Sequence, residues 1–484
     1  MDPVYDKYQP VIGLEVHVQL LTKSKAYSSD ENAYGALPNT NISPLTLGHP
    51  GTLPVSNKKV IEFAIRLGLA THSNIAEDMF YARKNYFYAD LPKGYQITQD
   101  TTPICTGGFI NIKDADGNDK RVNLTRIHME EDAGKSIHDQ DPFNTLIDLN
   151  RAGVPLLEIV SEPEIANSTE AYNYLAEVRK LVRYLEICDG NMEEGSLRCD
   201  ANISVMLKGA SKFGDRVEVK NMNSLRNVQR AIDHEIKRQI DIIEDGGSIF
   251  TETRSFDAAK ATTFAMRSKE LAHDYRYFPE PDLQPLKVTQ EAIQAVKDSL
   301  PPLPEELYNR FTKEYGLSDY DALNLTENKG IALYFERVLE GTKNYKGAAN
   351  LMMGDVKSYL NSKAVDIEDY PLSAESIAAV QNLLDSGDIS SSAVSQNLFP
   401  LLYEEPNSDV RSLAEKNDLI HSSDESEIEG MAREVIAKFP DKVEAYKNGN
   451  KNLLGMFMGQ LMRASGGKVD PKVANQVLRS ILEE

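Results

Sequence analysis

Four stretches of the chain set carboxylates, an imidazole and cations at spacings that chemistry can use. Residues 11–20 read VIGLEVHVQL, with Glu15, His17 and Gln19 two apart. A strand turns successive side chains to opposite faces. Ile12, Leu14, Val16, Val18 and Leu20 then form an apolar face, and Gly13, Glu15, His17 and Gln19 a functional one. Half-buried strands commonly show such a face to water, and it becomes a site only if other carboxylates converge on it. TRIHMEEDAGKS (125–136) offers His128, Glu130, Glu131 and Asp132. NRAGVPLLEIVSEPEI (150–165) sets Glu158 among Val154, Leu156, Leu157, Ile159 and Val160. An unpaired charge there is expensive, so it must pair with a cation, bind a metal or shift its pKa, a structural salt bridge being the bland alternative. In GNMEEGSLRCDANISV (190–205), Leu197, Cys199, Ala201, Ile203 and Val205 alternate with Arg198, Asp200, Asn202 and Ser204, and the RVEVKNMNS that follows adds Glu218 and Lys220 on one side. Two or three such strands in one sheet line a polar floor, with acids for a hard cation and Arg or Lys for phosphate. Oxygen-rich ligands with one imidazole suit Mg²⁺ or Mn²⁺ better than a thiolate-seeking metal.

The elements that must position these residues are readable in outline. Residues 1 to about 285 mix strand alternation with two helices. The first runs through PEIANSTEAYNYLAEVRKLVRYLEI, with Asn167 or Ser168 as cap and a stripe of Leu175, Val178, Leu181, Val182 and Leu185. The second, NSLRNVQRAIDHEIKRQIDIIEDGG, lines Val228, Ile232, Ile236, Ile240 and Ile243 on one face and stops at Gly246-Gly247. Prolines 301, 302 and 304 interrupt secondary structure, and beyond them the pattern is helical. The expected class is α+β: a large mixed-sheet domain (1–292), an all-helical middle domain (293–408) and a small helical tail domain (409–484), the tail with helices near 426–438, 451–465 and 471–482.

Composition narrows the class of function. The 484 residues are 41% hydrophobic and 26% charged, as in a soluble globular chain. No run approaches the ~18–20 apolar residues of a membrane span, and the polar MDPVYDKYQP start is neither a secretory signal nor a transit peptide. A cytoplasmic protein without a membrane partner is expected. Cys105, Cys188 and Cys199 fit no zinc spacing and read as buried thiols. A net charge of −21 argues against a protein that grips nucleic acid over its whole surface and confines any RNA binding to a local patch. The local exception is the tail, where Lys447, Lys451, Arg463, Lys468, Lys472 and Arg479 face a single acid, Asp470, either an ordinary solvated surface or a phosphate-contacting one. YARKNYFYADLPKGYQITQ (81–99) interleaves aromatics with Arg83, Lys84 and Lys93, which can stack a base and neutralise phosphate or simply pack as a cluster. TTFAMRSKELAHDYRYFPEPDLQPL (262–286) makes a similar rim. AGKS at 133–136 is not a phosphate-binding P-loop, because Met129 stands where its first glycine belongs. GGS at 246–248 is a helix stop, and no Ser/His/Asp triad signature occurs.

In chain order, VIGLEVHVQL, RKNYFYADLPKGYQITQ, IHMEEDAGKS, LNRAGVPLLEIVSEPEI, MEEGSLRCDANIS, VEVKNMNS, DYRYFPEPDL and GQLMRASGGKVDP resemble the B subunit of the bacterial aspartyl/glutamyl-tRNA amidotransferases over practically the whole chain. The resemblance implies an enzyme component that uses ATP to phosphorylate the side-chain carboxylate of Glu-tRNA(Gln) or Asp-tRNA(Asn), after which ammonia displaces phosphate. It implies a heterotrimer with an amidase (glutaminase) subunit, which releases ammonia from glutamine, and a small third subunit. It also implies a cradle domain holding a kinase-like site, and a tail that contacts tRNA. By that likeness Glu15, His17, Glu131 and Glu158 are expected as Mg²⁺ ligands and catalytic residues, with Asp200 nearby. Lys84, Arg198 and Lys220 are expected on phosphate, and Tyr86, Tyr88 and Tyr95 in the nucleotide or tRNA 3′-end pocket, Tyr86 on the ATP side. Lys447, Lys451, Arg463, Lys468 and Lys472 are expected on tRNA. Many members hold a structural zinc with four cysteines. Here the corresponding stretch has none, and Ser43 and Thr46 stand where the second pair belongs, so no zinc is expected. The rival readings are a non-catalytic tRNA-binding subunit with a structural acidic cluster and a stand-alone ligase of free amino acids. A buried metal-binding constellation separates the first, and the helical tail with no glutaminase nucleophile speaks against the second.

Overall fold

The structure, a computed structural model, describes residues 4–268, 275–420, 425–465, 469 and 471–483. The chain divides into two compact units, Met1–Leu303 and Pro304–Glu484. The first is built on a ten-stranded sheet. From one edge its strands run Thr262–Ser268, Glu252–Asp257, Val217–Met222, Leu197–Leu207, Tyr8–Gln19, Pro155–Ser161, Asp119–Glu131, Cys105–Thr106 and Asn74–Ile75, with Phe109–Lys113 also pairing on Asp119–Glu131. All pairings are antiparallel except Val217–Met222 with Glu252–Asp257, so the sheet is mixed.

The alternation in strand 8–19 is realised as written. Ile12, Leu14, Val16 and Val18 are fully buried, and their neighbours Gly13, Glu15, His17 and Gln19 are half-buried. The apolar side joins Ile127, Met129, Leu157, Ile159, Leu197, Ala201 and Ile203 in one core. Helices Ser168–Tyr184 and Leu225–Glu244 pack on that core and on each other. Asn167 caps the first by accepting from Glu170 N at 2.9 Å, and Ser224 caps the second by accepting from Asn227 N at 3.2 Å. Gly246, with φ +79°, ends the second helix, and Gly247 N donates back to Ile242 O at 2.8 Å. Covering these stripes leaves the opposite side of the sheet free to carry polar groups.

Helix Gln290–Asp298 packs on helix Lys58–Ala70, and its Ile293 and Val296, with Leu300 and Leu303 beyond it, pack against the first unit's core. The expected boundary at 292/293 falls inside this helix, and the contact boundary lies eleven residues on, among the prolines. In the second unit, helix Val410–Lys416 packs on helix Ala374–Ser386. Ile428, Ala432, Phe457, Leu461, Ala474 and Leu478 belong to a separate small core. Its helices are Glu425–Ala437, Pro440–Lys447, Leu453–Ala464 and Pro471–Glu483. The second of these was not expected; Pro440 sits at its start, where the missing N–H costs nothing. Among the described residues no helix is long and apolar enough to cross a membrane. Cys105, Cys188 and Cys199 are buried and unpaired, and burial pushes the thiols of Cys105 and Cys188 up to about 12.

The stretch around Ser43 and Thr46 is fastened by hydrogen bonds. Both hydroxyls donate to Asp30 Oδ2, Ser43 at 2.9 Å. The buried Lys25 donates to Asn41 O at 2.7 Å and to Leu149 O at 3.4 Å, tying the loop to the segment that precedes strand 155–161.

Candidate functional site

Strand register builds the site. His17 pairs with Glu158 on one side and with Arg198 on the other, and Glu158 pairs in turn with His128. One rung of four adjacent strands therefore reads His128, Glu158, His17, Arg198. Two further rungs set Glu15 opposite Asp200, and Asn202 opposite both Gly13 and Glu218.

On the first rung, His17 Nε2 lies 3.2 Å from Glu158 Oε2 and 3.6 Å from Glu130 Oε1. His128 Nε2 lies 3.4 Å from Glu158 Oε2 and 3.9 Å from Glu130 Oε2. Burial works against every charge here, yet pairing prevails. Burial alone would lower the imidazole of His128, but the charge of Glu158 and the hydrogen bonds to Glu130 and Glu158 raise it to about 9. His17 is raised by the same partners. Burial would raise Glu130, but Lys84 and His128 bring it down to about 2. Glu158 is held well below the carboxylate range by His128 and His17 despite its burial.

The second group is held differently. Glu15 is raised, first by burial and then by the charges of Glu158, Asp200 and Glu218. Asn202 Nδ2 donates to Glu15 Oε1 at 2.9 Å. Lys220 Nζ bridges Asp200 Oδ2 and Glu218 Oε1, the latter at 3.0 Å, and those carboxylates hold its ammonium above its ordinary value against the cost of burial.

The donor sets fit hard divalent cations. One ligand atom each from His17, Glu130 and Glu158 lie within 4.8 Å of one another, and so do atoms from Glu15, Asp200 and Glu218. Two carboxylates with an imidazole, beside three carboxylates, suit Mg²⁺ or Mn²⁺. The expected ligands are thus divided: His17 and Glu158 stand together, and Glu15 stands with Asp200.

Glu131 stands apart from both groups. Its Oε1 accepts from Ile97 N at 2.8 Å and from Lys93, and its backbone carbonyl accepts from Gln96 at 2.6 Å, so it joins hairpin 82–98 to the main sheet. Glu130 occupies the place expected of it. The reason is alternation: Ile127 and Met129 enter the core, so His128 and Glu130 point to the polar side. That signal was present in RIHMEE, and Asn202 and Glu218 were equally marked by parity with Asp200 and Lys220.

The remaining expected residues fall into three sets. Lys84 lies in strand Ala82–Asn85, where its charge acts on Glu130 and its Nζ sits 5.2 Å from the Tyr275 ring centre. Arg198 Nη2 binds Asp132 Oδ2 at 2.8 Å, where Gln19 also donates at 3.0 Å. Tyr86 donates to Gln96 and meets Tyr88 and Tyr275 edge-on, with Tyr88 more than half exposed. Tyr95 instead lies under the Arg83 guanidinium, 4.0 Å away, and that arginine is paired with Glu280. In the tail, Lys447, Lys451, Arg463 and Lys472 are exposed, Lys451 lying 4.1 Å from the Tyr446 ring centre; Lys468 is outside the described residues.

Known proteins share this chain almost end to end. Residues 10–294 match a family profile described as GatB/GatE catalytic domain, and residues 333–482 one described as GatB domain. The chain is 48% identical over 476 residues to the aspartyl/glutamyl-tRNA(Asn/Gln) amidotransferase B subunit of Chlorobium phaeobacteroides, covering 98% of this chain and 99% of the relative. The protein of that name from Geobacter sulfurreducens is 48% identical over 479 residues, covering 98% and 99%. That from Persephonella marina is 46% identical over 478 residues, covering 99% and 100%.

Proposed function

This chain belongs to the GatB/GatE family of tRNA amidotransferase subunits, and on that premise we propose that its polar sheet face activates a tRNA-borne carboxylate with ATP. The observation that carries the reading is the pair of cation-ligating groups on one face, flanked by Lys84, Arg198 and Lys220. A γ-phosphoryl group needs its oxygens neutralised and an oxygen nucleophile held in line. Bound Mg²⁺ supplies charge neutralisation across the phosphate oxygens. His17, Glu130 and Glu158 would hold one ion, and Glu15, Asp200 and Glu218 a second.

The chain's own groups do the rest. Lys84 and Lys220 carry positive charge toward the phosphates, and Arg198, fixed by Asp132, is positioned to bind and orient an anionic group. The Glu or Asp side-chain oxygen of the aminoacyl-tRNA attacks Pγ, the Pγ–O bond to ADP breaks, and the acyl phosphate forms. Ammonia then attacks the acyl carbon, phosphate leaves, and nitrogen gives up a proton as the amide forms. Tyr86 and Tyr88 line the approach as a stacking surface for the nucleotide or the tRNA 3′ end, and Tyr95 supports it through Arg83. The partners are an amidase (glutaminase) subunit and a small third subunit in a heterotrimer, with the 409–484 segment on tRNA through Lys447, Lys451, Arg463, Lys468 and Lys472.

The test is single-turnover transfer of the ATP γ-phosphate to Glu-tRNA(Gln) by this chain with its partner subunits and no ammonia source. Glu158→Gln and Glu15→Gln should bind tRNA as wild type does and lose acyl phosphate formation, Glu158→Gln by about 10³-fold. Transfer at the wild-type rate would leave a tRNA-binding subunit with a structural acidic face.

A further inference from the structure

A second polar cavity lies on the helix-bearing side of the sheet and shares no residue with the polar floor. It measures ≈ 420 Å³ and is lined by Arg179, Arg183, Asp189, Asn191, Glu193 and Ser224, among others. That volume is within the ~300–1,000 Å³ of small-ligand sites.

Two arginines give one wall a cationic character, Arg179 half-buried and Arg183 exposed. Arg179 and Arg183 come from the last turns of helix 168–184, and among the described residues neither guanidinium forms a salt bridge. Arg179 Nε is itself sealed from solvent and has no hydrogen-bond partner. A buried donor left without a partner is costly, and a bound anion is one way to satisfy it. The opposite wall is the start of helix 225–244, whose first turn carries no acidic residue. Ser224 satisfies only Asn227 N, so the amides of Leu225 and Arg226 remain available to an anion.

The two acids of the lining do not cancel this. Asp189 Oδ1 already accepts from Asn191 N at 2.9 Å and from the Ser196 hydroxyl. Glu193 is exposed at the mouth. The loop that carries them closes on the arginine stems at Gly190, where φ is +70° and a Cβ would lie 2.8 Å from Arg179 Cγ. Glycine there lets the loop lie against both arginine stems, and the same cavity is lined by Ser224 and Leu225 at the helix start.

We propose that Arg179, Arg183 and the first turn of helix 225–244 form an anion site for a phosphate group, separate from the polar floor. Arginine forks match phosphate oxygens two at a time, and helix amides take a third. The group is supplied either by the RNA substrate's backbone or by a free phosphate compound.

The test uses the full chain with its partner subunits. Inorganic phosphate is titrated calorimetrically, and a tRNA transcript by fluorescence anisotropy at several salt concentrations. The double variant Arg179→Gln/Arg183→Gln should weaken phosphate binding by about tenfold or more. Arg179→Lys/Arg183→Lys should fall between, keeping charge but losing the fork. Glu193→Gln should tighten binding, which a purely structural role for these residues would not produce. If tRNA affinity and its salt slope fall together with phosphate binding in the Gln variant, the ligand is an RNA phosphate. If only phosphate binding falls, it is a free phosphate compound. Wild-type binding of both ligands by the Gln variant, or no phosphate binding by the wild type at millimolar concentration, overturns the site. Should the Gln variant melt early, the Lys variant and Glu193→Gln decide alone.

Discussion

The two carboxylate groups on the sheet face have nearly the same number of acids and opposite ways of living with them. His17, Glu130 and Glu158 sit beside a second imidazole, His128, and the carboxylates raise both rings so that the protonated form is favoured. Glu15, Asp200 and Glu218 have no imidazole; the Lys220 ammonium supplies the positive charge, and Glu15 drifts upward for want of more. Rings fixed in strands cannot leave, whereas a lysine on its flexible stem can. A cation entering the first group would replace the ring proton of His17, and one entering the second would displace the Lys220 ammonium.

The largest test of this contrast is Glu158→Gln, which removes the carboxylate touched by both imidazoles. It should cut acyl phosphate formation about 10³-fold, the scale of a lost transition-state charge partner, read by single-turnover transfer. Next, Glu130→Gln should weaken Mn²⁺ at the first group about 100-fold by paramagnetic titration. Glu131→Gln should leave that affinity within about threefold and instead lower unfolding stability by about 3 kcal/mol, because Lys93 is stranded. Equal effects of the two substitutions on metal affinity would erase the distinction between the neighbouring glutamates.

Asp200→Asn should raise the Mn²⁺ concentration that half-fills the second group about tenfold and leave the first group alone. The proton-held character of the first group predicts a pH effect in metal-free protein. His128 lies above its ordinary 6.5, at about 9, so its contribution to stability is complete below pH 6.5 and is lost as pH rises through about 9. Melting temperature in chelator should fall across that window, and His128→Gln should flatten the fall. Glu130, at about 2, contributes above its ordinary 4.5 and loses that contribution as pH falls through about 2. The smallest effects belong to the tail: Lys447→Gln and Arg463→Gln should each weaken tRNA about two- to threefold and reduce the salt slope by about 0.7–0.9. No change in slope would make that face ordinary solvated surface.

Much of this was written in local pattern. The buried 12–14–16–18 series and its polar counterpart follow from a period of two. The helix caps at Asn167 and Ser224 and the stop at Gly246 follow from residue type. Glu131 shows where likeness to a motif outran alternation: Ile127 and Met129 already assigned Glu130 to the polar side. Tyr95 packs under Arg83, which pairs with Glu280, and local spacing does not reveal a partner so distant in the chain.

By itself, then, the sequence determined which side of each strand is oily, which residues are chemically able to ligate or bind phosphate, and which family the chain joins. Only the tertiary structure decided which strands are neighbours and in what register. His17 meets Glu158 because strands 8–19 and 155–161 pair in that register, and a slip of one residue would send every functional group into the core. The partition into two carboxylate groups, and the cavity that brings the arginine pair and a helix start together, arise from contacts between segments separated in the chain. Local spacing carries no information about such contacts, because the free energy that fixes them is burial of the shared core.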